Sequence, residues 1–144
     1  MDRFEALARL TGAQVAHLAT VRPDGRPHLI PITFAVVAAN IVTAVDHKPK
    51  TTQDLQRLKN IEINPSVSVL VDHYDENWER LWWVRVDGPA DVHHRGGIYE
   101  QGIAALVDKY PQYRARRPDG PLIAISQDRV VRWESKRRPD SDRA

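Results

Sequence analysis

A hairpin signal near the start of the chain constrains the fold more than any other feature. Two β-rich apolar segments, Val15–Val21 and His28–Val37, flank the turn sequence RPDGRP. Proline presets the backbone angle that opens a tight turn, and Asp-Gly favours its completion. The two segments are therefore predicted to pair as an antiparallel hairpin, with a third strand at Ile41–Val45.

The spacing of apolar residues then changes to that of a helix. Leu55, Leu58 and Ile61 recur at three- and four-residue intervals before Pro65, which predicts a helix that begins near Thr51. Further strands are predicted at 67–71, 81–90 and 122–133, the last with a turn at Gln127-Asp128. Further helices are predicted at 2–11 and 97–109, and a loop at 110–121. Strands that join directly, with helices inserted rather than alternating, favour an α+β fold with an antiparallel sheet or barrel.

Composition indicates a single domain and excludes several kinds of site. The chain has 144 residues and no cysteine, which leaves no disulfide framework, iron–sulfur site or thiol nucleophile. Apolar stretches are far shorter than the roughly 20 residues of a membrane span, and no leader sequence is visible, so a cytoplasmic protein is predicted. Residues 1–134 are expected to form the domain, and Ser135–Ala144 a polar, disordered tail.

Several familiar chemistries lack their sequence signals. The chain contains no G-x-G-x-x-G, no P-loop and no G-x-S-x-G. The adjacent pair His93-His94 would point to opposite faces of a strand, so no metal site is predicted. The aromatic residues cluster in one segment rather than along a basic groove, which disfavours nucleic-acid binding. No catalytic side chain is assigned.

The stretch DHKPKTTQDLQRLKN, residues 46–60, could hold an anion. It places Lys48, Lys50 and Thr51 where a strand gives way to a helix start, with Arg57 and Lys59 on the helix. Exposed N–H groups and the helix dipole attract phosphate at such a point. Spacing alone leaves open a basic helix start that is merely solvated.

The second stretch of interest is WERLWWVRVD, residues 78–87. Trp82 and Trp83 are neighbours on a predicted strand, so one should face inward and the other outward. An outward tryptophan can contact a partner subunit or a flat ligand, or can be a simple surface residue.

Two segments carry a resemblance to a known family. VAHLATVRPDGRPHLIPITFAV and LQRLKNIEINPSVSVLVDHYDENWERLWWVRVDGPADV resemble the pyridoxamine-phosphate-oxidase-like split β-barrel superfamily. They are most similar to its short actinobacterial branch of coenzyme F420-dependent oxidoreductases. The resemblance covers roughly residues 4–134. It implies a six-stranded antiparallel split β-barrel with a few short helices, and a homodimer with cofactor sites at the subunit interface.

The resemblance also implies a role for thirteen residues of the cofactor site. These residues fall into three groups: the phosphate contacts, the ring contacts on the second and third strands, and the aromatic residues that approach from the partner subunit. They are Lys48, Lys50, Thr51, Arg57 and Lys59; Pro31, Ile32, Thr33, Ala44 and Val45; and Trp78, Trp82 and Trp83.

The function implied is hydride transfer between coenzyme F420 and a small electron-poor organic substrate. FMN is the alternative cofactor, and a carrier that binds either cofactor without turnover is the alternative function. The segment that ends at Arg132-Trp133-Glu134 lacks the R-x-H of the pyridoxamine-phosphate oxidases, so that particular activity is not expected.

Overall fold

The computed structural model describes residues 1–45 and 52–135 and, for residues 52–55, the backbone alone. Within these residues eight strands form, and every pairing between them is antiparallel. They are β1 (Ala16–Val21), β2 (Pro27–Ile32), β3 (Ala35–Val37), β4 (Asn40–Ala44), β5 (Ser66–His73), β6 (Trp82–His93), β7 (Leu122–Ser126) and β8 (Arg129–Glu134). The helices are α1 (Arg3–Gly12), α2 (Thr52–Ile63), α3 (Gly97–Lys109) and α4 (Pro111–Ala115), with one 3₁₀ turn at Trp78–Arg80.

The strands form one curled sheet in the order β2-β1-β5-β6-β7-β4-β3, and β8 pairs with β6. The end strands β2 and β3 follow each other in the chain and are separated only by Thr33 and Phe34. A sheet whose two ends are joined by so short a connection must curl back on itself. This half-barrel confirms the predicted antiparallel split-barrel class.

The predicted number of six strands is wrong, because two of the predicted strands are each divided. The segment 28–37 splits at Thr33-Phe34, where the chain leaves its pairing with β1 and begins pairing with β4. The segment 122–133 splits at the predicted turn, Gln127-Asp128, and becomes two strands because β7 and β8 pair with different halves of β6. The predicted loop 110–121 also contains the short helix α4, which starts at a proline.

Strand β6 belongs to both halves of the barrel. Its Trp82–Asp87 half lies between β5 and β8, and its Ala90–His93 half pairs with β7. The change of partner falls at Gly88-Pro89, and a Cβ added to Gly88 would lie 1.9 Å from the carbonyl oxygen of Ser126. Only glycine permits the backbones to approach this closely.

Two hydrophobic clusters hold the helices against the sheet. The barrel interior includes Leu18, Val69 and Val86 and is covered by α1 and α2 through residues such as Leu10 and Ile61. The second cluster packs α3 against the opposite face of β3, β4 and β7. Strands β4 and β7 are therefore buried on both faces, which explains why most of their residues are apolar. In the part of the chain that the structure describes, no helix has the length and apolar character required to cross a membrane.

Candidate functional site

The connection between β2 and β3, Thr33 and Phe34, is fixed by hydroxyl groups; we call it the β2–β3 crossing. Thr43 Oγ1 donates to the carbonyl oxygen of Thr33 at 2.7 Å, and Thr33 Oγ1 lies 2.8 Å from the hydroxyl of Tyr113. Tyr110 Oη accepts from the backbone N–H of Phe34 at 3.1 Å. Its own proton can be donated to the carbonyl oxygen of Gln14 at 2.8 Å or of Phe34 at 3.1 Å. Both residues of the crossing are thus held by groups from other elements.

Lys109 supports the same region from the end of α3. Its Nζ donates to the carbonyl oxygens of Ala13 at 2.6 Å and Thr11 at 3.2 Å, which closes the carboxyl end of α1. The same ammonium group lies 3.9 Å from the centre of the Phe34 ring. Burial lowers the pKa of Lys109 to about 8.

The five predicted ring contacts lie near the crossing but differ in how their side chains are placed. Pro31 is exposed and Thr33 is half-buried, whereas Ile32 is buried in the barrel interior. Ala44 is buried against α3, and the backbone N–H of Val45 donates to the carbonyl oxygen of Pro121 at 2.9 Å. Any contact between a ligand and Ile32 or Ala44 would therefore involve mainly their backbone atoms.

Helix α2 is attached to β1 by a chain of buried polar groups. The amide of Gln56 donates to Asn60 Oδ1 at 2.7 Å, and Asn60 Nδ2 donates to Thr20 Oγ1 at 2.9 Å. Asn60 is fully buried, and Thr20 is 2% exposed. Because a buried amide left without partners costs about 1–3 kcal/mol, these bonds fix the rotation of α2 about its axis. They thereby set where Arg57 and Lys59 project.

A cavity of about 710 Å³ lies between α2 and the β1–β2 turn; we call it the hairpin cavity. Its charged lining residues are three cations and two carboxylates, and Arg26 Nε is bonded to Asp24 at 2.8 Å. These residues are Arg22, Asp24, Arg26, Lys59 and Glu62. The predicted phosphate contacts Lys48, Lys50 and Thr51 lie outside the described residues. The structure thus places Lys59 beside two arginines from the turn, which sequence reasoning had not included.

The cations Arg22, Arg26, Arg57 and Lys59 on α2 and the β1–β2 turn form what we call the basic corner. A buried histidine lies beside it. His28 pairs with Thr20 across β1 and β2 and is 8% exposed. Among the described residues its Nδ1 has no hydrogen-bond partner. Burial, followed by the positive charges of Arg22 and Arg57, lowers the pKa of His28 below its ordinary value of 6.5. The imidazole is therefore neutral near pH 7, and the positive charge of the corner comes from its arginine and lysine side chains.

Within this chain the three predicted tryptophans lie on β6 and in the 3₁₀ turn before it, not at the crossing. Trp82 faces the interior, where it stacks on His73 with ring centres 5.7 Å apart and lies beneath Arg9. Trp83 occupies the opposite face of β6, which confirms the inward and outward arrangement, and Trp78 is 67% exposed. Strands β1 and β5 separate β6 from β2, a distance of roughly 14 Å at the usual strand spacing.

Sequence reasoning missed several residues of the site. Thr20 continues the inward positions Ala16 and Leu18, and this two-residue period could have revealed a buried hydroxyl that needs a partner. His28 continues the inward positions Ile30 and Ile32 in the same way, whereas Tyr113 carried no such signal. The turn arginines Arg22 and Arg26 were visible only as part of a turn sequence.

The curled antiparallel sheet, with its crossing between end strands and its basic corner, defines the split β-barrel class. The chain belongs to the pyridoxamine 5'-phosphate oxidase family, whose model matches residues 4–135. No curated protein matches the chain.

Solved structures with this fold have differing names. A conserved hypothetical protein of Mycobacterium tuberculosis is 22% identical, with a TM-score of 0.77 over 94% of this chain and 86% of its own. An FAD-binding protein of Mesorhizobium loti is 22% identical, with a TM-score of 0.71 over 92% and 94%. The heme storage protein HutZ of Vibrio cholerae is 17% identical, with a TM-score of 0.70 over 92% and 93%. At these identities the likeness shows the fold alone.

The lowered pKa of His28 predicts a specific pH dependence of stability. The folded chain binds the imidazole proton more weakly than the unfolded chain, so acidification below about 6.5 favours unfolding. The free energy of unfolding, measured by urea denaturation, should fall between pH 7.5 and 5. In His28→Asn the fall should be smaller. Equal falls in the two proteins would contradict the assignment, as would an NMR titration midpoint for His28 at or above 6.5.

Proposed function

We propose that this protein binds coenzyme F420 and transfers a hydride between the deazaflavin and a small electron-poor organic substrate. The observation that carries the proposal is the concentration of cations on α2 and the β1–β2 turn, beside a strand that could support a flat ring. Family membership supports a flavin-type cofactor, and the choice of F420 depends on the shape and charge of this corner.

The cations suit a ligand with more than one anionic group. Arg57 on α2 and Arg22 on the turn both lie close enough to His28 to affect its pKa, while Lys59, Arg22 and Arg26 line the hairpin cavity. We propose that Arg57 and Lys59, with Lys48, Lys50 and Thr51, bind the phosphate. A cavity of about 710 Å³ is larger than one phosphate needs. F420 carries glutamate carboxylates beyond its phosphate and could extend into it, whereas FMN ends at a single phosphate.

The ring would lie along the end of β2 and the end of β4. Pro31 would offer an apolar surface, Thr33 a hydroxyl, and Ile32, Ala44 and Val45 mainly backbone groups. When bound, the deazaflavin supplies the hydride chemistry, and the protein supplies orientation and electrostatics. Correct positioning alone can contribute several kcal/mol to the rate, so no acid–base side chain is required.

We further propose that the protein is a homodimer, formed through the side of the sheet that faces away from the barrel interior. This outer face is defined by Leu29, Pro31, Leu70, Trp83, Val131 and Trp133, which alternate with buried residues along their strands or follow the same register. Leu29 is 67% exposed and Trp133 is 45% exposed. Contiguous exposed apolar residues of this kind mark interaction surfaces.

The charged pair Arg85 and Asp87 on the outer face is already compensated. Arg85 donates to both carboxylate oxygens of Asp87 at 2.9 and 3.1 Å, and Ser68 Oγ donates at 2.7 Å. Burial acts to raise the pKa of Asp87, but these hydrogen bonds outweigh it and keep the pKa below its ordinary value. A second copy can therefore cover Arg85 and Asp87 without leaving either charge unpaired.

A symmetric dimer would also account for the position of the tryptophans. In an isologous interface the same face is used by both subunits, so the β6–β8 side of one copy can meet the β2 side of the other. We propose that Trp83 of each subunit approaches Pro31 of its partner in this way. Trp78 is exposed enough to do the same, whereas Trp82 is half-buried on the inner face of β6 and points away from this interface.

A carrier that binds the coenzyme without turnover is the alternative function. It is favoured by the crossing itself, whose polar side chains are hydroxyls rather than acids or bases. Stopped-flow absorbance of reduced F420, mixed with the protein and a series of quinones or enones, should show oxidation that is faster than without protein. A protein that binds F420 tightly and leaves this rate unchanged would be a carrier.

Coenzyme binding should depend on the arginines of the corner. Arg22→Gln/Arg57→Gln should weaken F420 binding at least tenfold, about 1.4 kcal/mol, because two charge-assisted contacts are lost. Fluorescence titration with F420, FAD and FMN side by side measures this, with Arg3→Gln, an exposed α1 arginine, as the matched control. Unchanged F420 affinity in the double variant would remove the corner from the site, and preference for FMN would contradict the choice of F420.

The association state should depend on the outer face. The protein should elute at twice its chain mass of 16.4 kDa in size exclusion with light scattering, and Trp133→Glu should shift it to the monomer. Phe4→Glu changes an apolar residue that is 84% exposed on α1 and should leave the dimer intact. A monomeric wild-type protein, or dissociation caused equally by both variants, would refute the proposed interface.

A further inference from the structure

Thr33 and Tyr113 form a hydroxyl pair at the centre of the proposed site. Their oxygen atoms lie 2.8 Å apart although the residues are 80 positions apart in sequence. Thr33 is half-buried, and its carbonyl oxygen already accepts from Thr43. The backbone of Thr33 is therefore fixed, and the pairing with Tyr113 restrains the remaining freedom, the rotation of its side chain.

Tyr113 is itself held in place by the α3–α4 corner. Its ring contacts the ring of Tyr110 edge to face, with centres 5.7 Å apart and planes at 72°, a favoured geometry for aromatic pairs. Pro111 begins α4 directly after Tyr110, so the two tyrosines share one short, rigid segment. Tyr113 thus reaches the crossing from a support that does not depend on β2.

The pair limits what Thr33 can offer a ligand. A hydroxyl has one proton and two lone pairs. If Tyr113 donates to Thr33, the threonine proton and one lone pair are left for a ligand; if Thr33 donates, only its two lone pairs remain. In both cases the rotation of the threonine side chain is restricted, so the hydrogen-bonding capacity is presented in a defined direction.

We propose that Tyr113 is a positioning residue that orients the Thr33 hydroxyl toward the edge of the bound deazaflavin or flavin ring. This inference rests on the proposed function, because Thr33 must lie against the ring. A hydrogen bond to a ring nitrogen or oxygen changes the electron distribution of the ring. Tyr113 would then affect the spectrum and the reduction potential of the coenzyme without touching it.

The test compares two tyrosine-to-phenylalanine variants of the full chain. Tyr113→Phe removes the partner of Thr33. Tyr99→Phe is the matched control, because Tyr99 is also half-buried on the α3 side but donates to the backbone oxygen of Gly120 at 3.1 Å. Tyr113→Phe should raise the Kd of F420 about threefold to tenfold, as expected for one hydrogen bond. It should also shift the absorption maximum and midpoint potential of the bound coenzyme. Tyr99→Phe should leave the Kd, the absorption maximum and the midpoint potential unchanged.

A second variant separates positioning from a loss of folding. Thr33→Val removes the hydroxyl that is to be oriented and should produce the same spectral shift. The double variant Thr33→Val/Tyr113→Phe should then bind no more weakly than Thr33→Val alone, because both changes remove one interaction.

The outcomes distinguish this inference from the proposed function. If the wild-type protein binds neither F420, FAD nor FMN, the proposed function and this inference both fail. If the wild-type protein binds one of these cofactors and Tyr113→Phe gives the same spectrum and affinity as Tyr99→Phe, only the positioning role of Tyr113 is overturned. Additive losses in the double variant would likewise overturn it.

Discussion

The fold depends on one strand being shared between two halves of a sheet. Strand β6 pairs with β5 and β8 along its first half and with β7 along its second. If β6 did not change partners at Gly88-Pro89, β7 and β4 could not return to meet the connection from β2. The curl of the sheet, the short crossing at Thr33-Phe34 and the open corner beside α2 all follow from this change of partners.

Local sequence was sufficient to predict most elements, because their signals are local. The turn RPDGRP, the periodic residues of α2 and the apolar strands were all readable, and the antiparallel class followed from their order. The turn at Gln127-Asp128 was predicted, whereas the division at Thr33-Phe34 was not. A strand that changes partners keeps an extended backbone and apolar character on both sides of the break, so the break is set by tertiary pairing.

The site was predictable only in part, for a similar reason. Cations near a helix start are visible in sequence, and Arg57 and Lys59 do lie on α2 beside the turn. By contrast, Tyr113 meets Thr33 across 80 residues, and a lone tyrosine after a helix gives no indication of a partner. The hydrogen bond of Asn60 was partly predictable. A polar residue beside the apolar face of a helix indicates a buried hydrogen bond, but the sequence does not identify Thr20 as its acceptor.

Strands β4 and β7 are covered on both faces, and this has a consequence for how such a protein can diversify. Apart from the half-buried Asn40 and Ser126 at their ends, both strands are buried. Their aliphatic positions therefore tolerate only exchanges of similar volume, and Thr43 must keep the hydroxyl that bonds to Thr33. The tip of the β1–β2 turn and the solvent side of α2 carry no such restriction. Related proteins that bind other ligands should therefore differ mainly in the residues that line the hairpin cavity. Strands β4 and β7, which support the crossing, should differ least.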